Sequence, residues 1–123
     1  MAGLYNLKSG VADSSQLVNN VNVYSAAGAV TIENQVALIT KSDGACALTL
    51  GVPSTAQNGT IIHFVSTTAH AHTVTAGTIG FNAGDAGSDV GTFGGAIADG
   101  FSVVAYGGEW YVLPNANLNV TLA

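Results

Sequence analysis

The sequence predicts an all-β protein: a jelly-roll-like sandwich or barrel of short antiparallel strands, preceded by an extended N-terminal arm. Only 7% of its residues are charged and 48% are apolar, whereas an average soluble domain has roughly 25% charged residues. Short β-rich runs alternate with Gly, Asn and Asp turn residues, a pattern typical of sandwiches and barrels. One such turn, Gly107-Gly108, joins two β-rich runs and predicts a tight hairpin.

Residues 1–27 differ from the rest, because their apolar residues follow no clean period. A short helix over 14–20, capped by Asp13 or Ser14, and an extended arm lying on a partner both fit this segment. The Val21–Tyr24 stretch favours a strand at its far end. We therefore divide the chain into an N-terminal arm, 1–27, and a β-sandwich domain, 28–123.

Strand patterns are dense in the domain that follows. The segments 29–32 and 36–40 flank a predicted hairpin loop, and 71–75 and 78–81 flank a second one. Between them, 45–50 alternates strictly and places Cys46, Leu48 and Leu50 on one face. The segment 60–66 is a buried-looking strand, 82–99 is a glycine-rich loop region, and 118–122 supplies the last strand.

The predicted fold is built around a hairpin over Phe101–Leu113. A two-residue turn at Gly107-Gly108 pairs Tyr106 with Glu109, Ala105 with Trp110, Val104 with Tyr111 and Val103 with Val112. Alternation then places Val103, Ala105, Trp110 and Val112 on the core face. The opposite face, with Val104, Tyr106, Glu109 and Tyr111, is too apolar for plain solvent, so we expect it to meet a second sheet or another subunit.

Charge excludes several partners. The chain has a net charge of −5, with Lys8 and Lys41 as its two basic residues. Nucleic-acid binding and attraction to an anionic membrane both need clustered Lys and Arg, so neither is expected. So few charges cannot cover a surface, which favours a subunit that buries much of itself in an assembly. The absence of a signal peptide or a long apolar run predicts assembly in a cytoplasm, and the single Cys46 forms no intrachain disulfide.

The histidines are the first candidates for site chemistry. His70 and His72 are two residues apart, and with His63 they could hold a transition metal. Hydrogen-bonded imidazoles in a half-buried sheet are the favoured alternative, so no metal and no cofactor are predicted.

Acidic and aromatic residues offer further alternatives. Asp85, Asp89 and Asp99 could bind calcium, but the ligand spacing is irregular and solvated turn aspartates are favoured. Any two of Asp85, Asp89, Asp99 and Glu109 could form a glycosidase pair if they stood at the defined separation, a test that any acidic loop passes. A sugar platform on Trp110, Tyr106 and Tyr111 competes with core and interface packing, which is favoured. No nucleophile elbow or phosphate loop is present, so the chain is not predicted to be an enzyme.

About half of the chain resembles small structural proteins of tailed bacteriophages. The similarity lies in Leu48-Thr49-Leu50, Val52-Pro53, Asn58-Gly59, the strand through Phe64, His72-Thr73-Val74-Thr75, Thr92-Phe93, Gly100 and the segment from Ala105 to Val112. These motifs resemble those of capsid decoration, or cement, proteins, and similar modules occur in phage fibres. The N-terminal arm and the final strand lie outside the similarity.

This resemblance implies a structural virion protein without catalytic residues. The expectation is a β-rich homotrimer on the outer capsid surface that binds the major capsid protein and stabilises its subunit contacts. A phage fibre or glycan-binding receptor module is the alternative, with 82–99 as a variable tip and an exposed Trp110. Candidate trimer or capsid contacts are Leu4, Tyr5 and Leu7 in the arm and Val104, Tyr106 and Tyr111 on the hairpin.

Overall fold

The computed structural model describes residues 20–82 and 89–123, which form two five-stranded sheets packed face to face. The predicted all-β sandwich is confirmed. The strands, in chain order, are β1 Val21–Tyr24, β2 Gly28–Ala29, β3 Gln35–Ile39, β4 Ala47–Thr49, β5 Ile61–Ser66, β6 Thr73–Thr75, β7 Val90–Phe93, β8 Gly100–Tyr106, β9 Glu109–Leu118 and β10 Val120–Leu122. Short 3-10 helices span Thr55–Gln57 and Gly77–Ile79.

The chain alternates between the sheets over its first six strands. The first sheet has the order β9-β8-β5-β3-β1, and the second has the order β10-β7-β6-β4-β2. Each strand from β1 to β5 is followed by one in the opposite sheet, so the chain returns to a given sheet in the same direction. The pairs β1–β3, β3–β5, β2–β4 and β4–β6 are therefore parallel, as in the coils of a β-solenoid.

Antiparallel pairing is confined to the later strands. The pairs β5–β8, β8–β9, β6–β7 and β7–β10 are antiparallel. The prediction of antiparallel strands is therefore wrong for half of the strand pairs in the described part of the chain, and jelly-roll connectivity is not confirmed. The described part of the predicted arm contributes β1, an edge strand beside β3.

The predicted β8–β9 hairpin is confirmed with its register. Tyr106 pairs with Glu109, Ala105 with Trp110 and Val104 with Tyr111. Gly107 and Gly108 have φ values of 61° and 79°, the left-handed conformation that this turn requires. The hairpin is thus specified locally, by turn chemistry and alternation.

The two other predicted hairpins are wrong. β2 and β3 lie in different sheets, because the segment between them crosses the sandwich instead of turning back. After β6, the segment Gly77–Ile79 forms a 3-10 helix and not a returning strand. Near the C-terminus, the predicted strand 118–122 is divided between β9 and β10 by Asn119, whose φ of 58° turns the chain.

The core lies between the sheets and is rich in aromatic residues. Phe101 stacks on Phe64, with ring centroids 5.2 Å apart, and meets Phe81 edge to face at 5.3 Å. The predicted core positions Val103, Ala105 and Trp110 are fully buried, as are Cys46, Leu48 and Leu50 on the facing sheet, whereas Val112 is half-buried. The inward face is therefore largely as the alternation predicts.

Candidate interaction face

The side of the first sheet that points away from the second sheet is the candidate functional surface, called here the outer face. Alternation fixes its members, since their neighbours along each strand point into the core. It is mostly aliphatic and aromatic. Its apolar members are Val21, Val23, Val36, Leu38, Ile61, Val65, Val104, Tyr106, Tyr111 and Leu118.

Cross-strand register joins these residues into continuous rows. Val21 lies beside Val36, which lies beside His63, and one row further Val23, Leu38 and Val65 are neighbours. Neighbouring strands are about 4.8 Å apart, so side chains along a row are in contact range. The outer face is therefore largely apolar across the sheet, and the cross-strand pair His63 and Ser102 forms a polar interruption in it.

The most exposed apolar side chains of the outer face lie at the β1 edge, at the hairpin end and at Leu118 near the end of β9. At the β1 edge, Val21 is 49% exposed and Val23 is 60% exposed. At the hairpin end, Tyr106 is 65% exposed and Tyr111 is 37% exposed. Single exposed apolar residues are ordinary, but a joined set of them is typical of a surface that meets another molecule.

Three of the six interface residues predicted from sequence lie on this face. Val104 and Tyr111 are direct cross-strand partners, and Tyr106 is two positions along β8. Leu4, Tyr5 and Leu7 lie outside the described residues. Sequence reasoning missed the contributions of β1, β3 and β5. The sequence shows the alternation of side chains along these strands, but it does not show that they pair in parallel beside the hairpin.

The outer face carries little charge. Among its positions in the part of the chain that the structure describes, Glu109 is the single carboxylate, and it lies half-buried at the hairpin end. A surface with so few ionic groups loses little solvation when another surface covers it. Its chemistry fits a protein contact better than it fits a charged ligand.

A polar network fastens β1, the edge strand of the outer face. Asn20 and Asn22 each donate a hydrogen bond to Glu33 Oε2, at 3.0 and 2.8 Å. Asn22 and Tyr24 also donate to Oε1 of the buried Gln35, at 2.9 and 3.2 Å. The pKa of Glu33 is lowered because these amide donors stabilise its ionised form. The network thus holds the strand against the loop before β3.

The three candidate metal-binding histidines do not converge. His72 is buried between the sheets, where Nδ1 accepts from the Cys46 backbone N–H at 2.9 Å. Its Nε2 must therefore carry the proton, which it donates to Thr68 Oγ1 at 2.9 Å. His70 Nε2 lies 2.9 Å from the Ser42 carbonyl oxygen, and His63 is on the outer face of the other sheet. In residues 20–82 and 89–123, no group of three potential ligands is close enough to hold a metal.

The remaining candidate residues are spread through the fold. Asp99 is buried and accepts hydrogen bonds from the Ala96 N–H and the Asn119 amide, at 2.9 and 3.2 Å. Asp89 is half-buried immediately before β7, and Asp85 lies outside the described residues. Burial raises the pKa of the Cys46 thiol, which keeps it protonated and unreactive.

Trp110 is a core residue. Its side chain is fully buried, and its Nε1 donates to the Gly51 carbonyl oxygen at 2.8 Å. The indole is therefore unavailable for stacking on a sugar, whereas Tyr106 and Tyr111 remain accessible on the outer face.

Comparisons with known proteins add no relative. No family model, no curated protein and no solved structure matches this chain. Among the described residues, none of the helices has the length and hydrophobicity needed to cross a bilayer.

Proposed function

We propose that this chain is a structural virion protein: a homotrimeric decoration, or cement, protein on the outside of a bacteriophage capsid. In this proposal it binds the major capsid protein and stabilises the contacts between neighbouring capsid subunits. It has no catalytic role, no cofactor, and no contact with nucleic acid or membrane, and it assembles in the host cytoplasm. The observation that supports this function best is the joined, nearly uncharged outer face.

The energetics of such a face favour assembly. Burial of apolar surface contributes roughly 25 cal/mol per Å², and the outer face offers this surface with a single carboxylate to desolvate. A trimer presents three equivalent contacts to a capsid lattice. Each contact can be weak, because the second and third form at a high effective concentration. Binding to the assembled lattice alone would then stabilise that lattice by linkage.

The internal use of the reactive side chains also supports a structural role. Both nitrogens of His72 and one carboxylate oxygen of Asp99 are engaged in contacts that hold loops onto the sandwich. Cys46 is buried in the core with a protonated thiol. These groups, the first to consider for catalysis, contribute to stability.

A phage fibre or glycan-binding receptor module is the second candidate. The accessible Tyr106 and Tyr111 favour it, since aromatic rings at a surface suit sugar contacts. The buried Trp110 counts against it, because the largest aromatic surface of the chain is inside the core.

Three measurements test the proposal. Native mass spectrometry of the purified protein over a range of concentrations should give a trimer. Electron microscopy of virions that carry the protein should place it on the outer capsid surface, and capsids lacking it should break at lower temperature. A stable monomer at all concentrations, with no binding to capsids, would refute the proposed function.

A further inference from the structure

A cleft of about 370 Å³ opens on the outer face between β5 and the later part of β9. One wall is formed by His63 and Val65, and the other by Asn115 and Leu118. The floor is the β8 backbone at Gly100 together with the Ser102 side chain. The volume lies at the small end of the range for small-molecule sites.

The cleft exists because β9 leaves β8 and then returns. Val112 pairs with Val103 and Asn117 pairs with Phe101, so four residues of β9 lie opposite the single residue Ser102. This four-residue bulge contains Asn115, whose φ of 56° turns the backbone. Bulges of this kind redirect side chains at sheet edges. Here the bulge lifts one wall above the sheet.

The floor is kept low by Gly100. A β-carbon at this position would overlap the Phe64 carbonyl oxygen, so close approach of β8 to β5 requires glycine. Leu118, the β9 partner of Gly100, is 61% exposed and stands beside the gap. Val65 is half-buried across from it. The cleft thus has an apolar surface on each side of a bare stretch of backbone.

Polar groups complete the lining. His63 Nδ1 and Ser102 Oγ are hydrogen-bonded at 2.6 Å across the β5–β8 pair. Depending on which atom carries the proton, the pair presents a donor and an acceptor in either arrangement. Within the described residues, His63 Nε2 and the Asn115 amide have no other hydrogen-bond partner. Both residues line the cleft, so a ligand there can use these groups.

The charge of the lining restricts the ligand. None of the eleven described residues that line the cleft is Asp, Glu, Lys or Arg. A phosphate or carboxylate would find no cation there, and a metal ion would find no carboxylate. A ligand with hydroxyl groups suits the lining better, since each hydroxyl both donates and accepts, and its C–H faces can lie on Val65 and Leu118.

We propose that this cleft binds a neutral saccharide. The His63–Ser102 pair and the Asn115 amide hydrogen-bond its hydroxyl groups, and Leu118 and Val65 contact its apolar faces. The site is open to solvent along one side, so a residue within a longer glycan can enter it. The cleft lies at the Gly100 end of β8, away from Tyr106 and Tyr111 at the hairpin end. This binding activity is additional to capsid decoration and is available in a subunit whose assembly contacts use the hairpin end.

Titration of isotope-labelled full-length protein with lactose, maltose and di-N-acetylchitobiose, followed by amide NMR shifts, tests the site. At least one sugar should give saturable shifts at Ser102 and at residues 115–118, with a Kd on the order of 1 mM or tighter. Glycerol, an acyclic polyol, should give no saturation. If no sugar saturates, if glycerol matches the sugars, or if the shifts lie elsewhere, the proposal is wrong.

Variants separate binding from folding. Asn115→Gly removes the amide while keeping a residue that adopts the left-handed backbone, and Ser102→Ala removes the hydroxyl. Each should weaken binding about five- to tenfold. Thr92→Ala, at an exposed position on the second sheet, is the matched control and should bind as the wild type does. If either cleft variant misfolds, Leu118→Ala replaces it, because this exposed side chain contributes little to the core. Unchanged affinity in the folded cleft variants would overturn the assignment.

Discussion

Trp110 donates a hydrogen bond from Nε1 to the carbonyl oxygen of Gly51, at a distance of 2.8 Å. Trp110 belongs to β9 of the first sheet, whereas Gly51 follows β4 of the second sheet. The indole thus fills the core and also fastens the hairpin to a connection that crosses between the sheets. Opposite it, Ala105 is fully buried and leaves room for the large ring.

Replacing Trp110 with Phe should destabilise the protein by about 2–4 kcal/mol, because it leaves a gap in the core and an unpaired Gly51 carbonyl group. Urea unfolding, followed by circular dichroism, measures this loss. Tyr106→Phe is the control, since its side chain is 65% exposed, and it should change stability by less than about 0.5 kcal/mol. Equal effects of the two variants would contradict the role given to Trp110.

Gly100→Ala should be among the most damaging small substitutions, because the added methyl group overlaps the Phe64 carbonyl oxygen in the neighbouring strand. Separation of β8 from β5 would cost about 3 kcal/mol, the upper part of the usual range for overpacking. Thermal unfolding provides the measurement. The control is Gly28→Ala on β2, where a β-carbon has no neighbour within 4 Å. A Gly100 variant as stable as the Gly28 variant would show that the strands can separate at little cost.

These features differ in how far the sequence predicts them. The hairpin register follows from neighbours in the chain, because Gly107-Gly108 fixes the turn and alternation fixes the faces. The pairing of Val36 with His63 does not follow from neighbours in the chain. Nothing local indicates that the chain crosses to the other sheet and returns parallel. β3 and β5 also carry apolar residues on both faces, so their sequences alone do not show which face points into the core.

The candidate sites also differ in how far the sequence predicts them. Val104, Tyr106 and Tyr111 could be placed on one surface from the hairpin alone. The cleft could not be predicted, because it needs the β9 bulge to rise opposite Ser102 and needs His63 from a distant strand. Of the low-probability metal candidates, His72 uses both ring nitrogens in hydrogen bonds that hold Cys46 and Thr68 in place.

Stability should fall as the pH decreases through about 6.5, the ordinary pKa of histidine. The pKa of the folded His72 is lowered, mainly because burial disfavours the charged ring, and also because of positive charge at His70 and Lys41. As the pH falls, the unfolded state therefore takes up a proton before the folded state does. The contribution of neutral His72 to the free energy of unfolding is present above about pH 6.5 and is lost below it. Urea midpoints measured from about pH 7.5 to pH 5.5 should show this decline.

Matched variants assign that pH dependence to one residue. His72→Gln should lower stability at every pH and flatten the decline, whereas Tyr106→Phe, at an exposed position on the other sheet, should retain the decline. Glu33 and Asp43 have lowered pKa values, since amide donors act on Glu33 and the Lys41 ammonium acts on Asp43. Their contributions are lost below about pH 4.5, outside this window. An unchanged slope in the His72 variant would contradict the assignment.

Charge placed on the outer face should disrupt assembly. In the double variant Tyr106→Glu and Tyr111→Glu, two carboxylates would join the half-buried Glu109. Burying them in a contact requires their desolvation, so self-association or capsid binding should weaken at least about tenfold. Native mass spectrometry and cosedimentation with capsids measure the two losses. Thr92→Glu with Thr121→Glu, at exposed positions of the second sheet, adds the same charge and should leave both unchanged. If the tyrosine variant still assembles and still binds capsids, this face is not the contact surface; if the threonine variant fails equally, net charge and not location governs assembly.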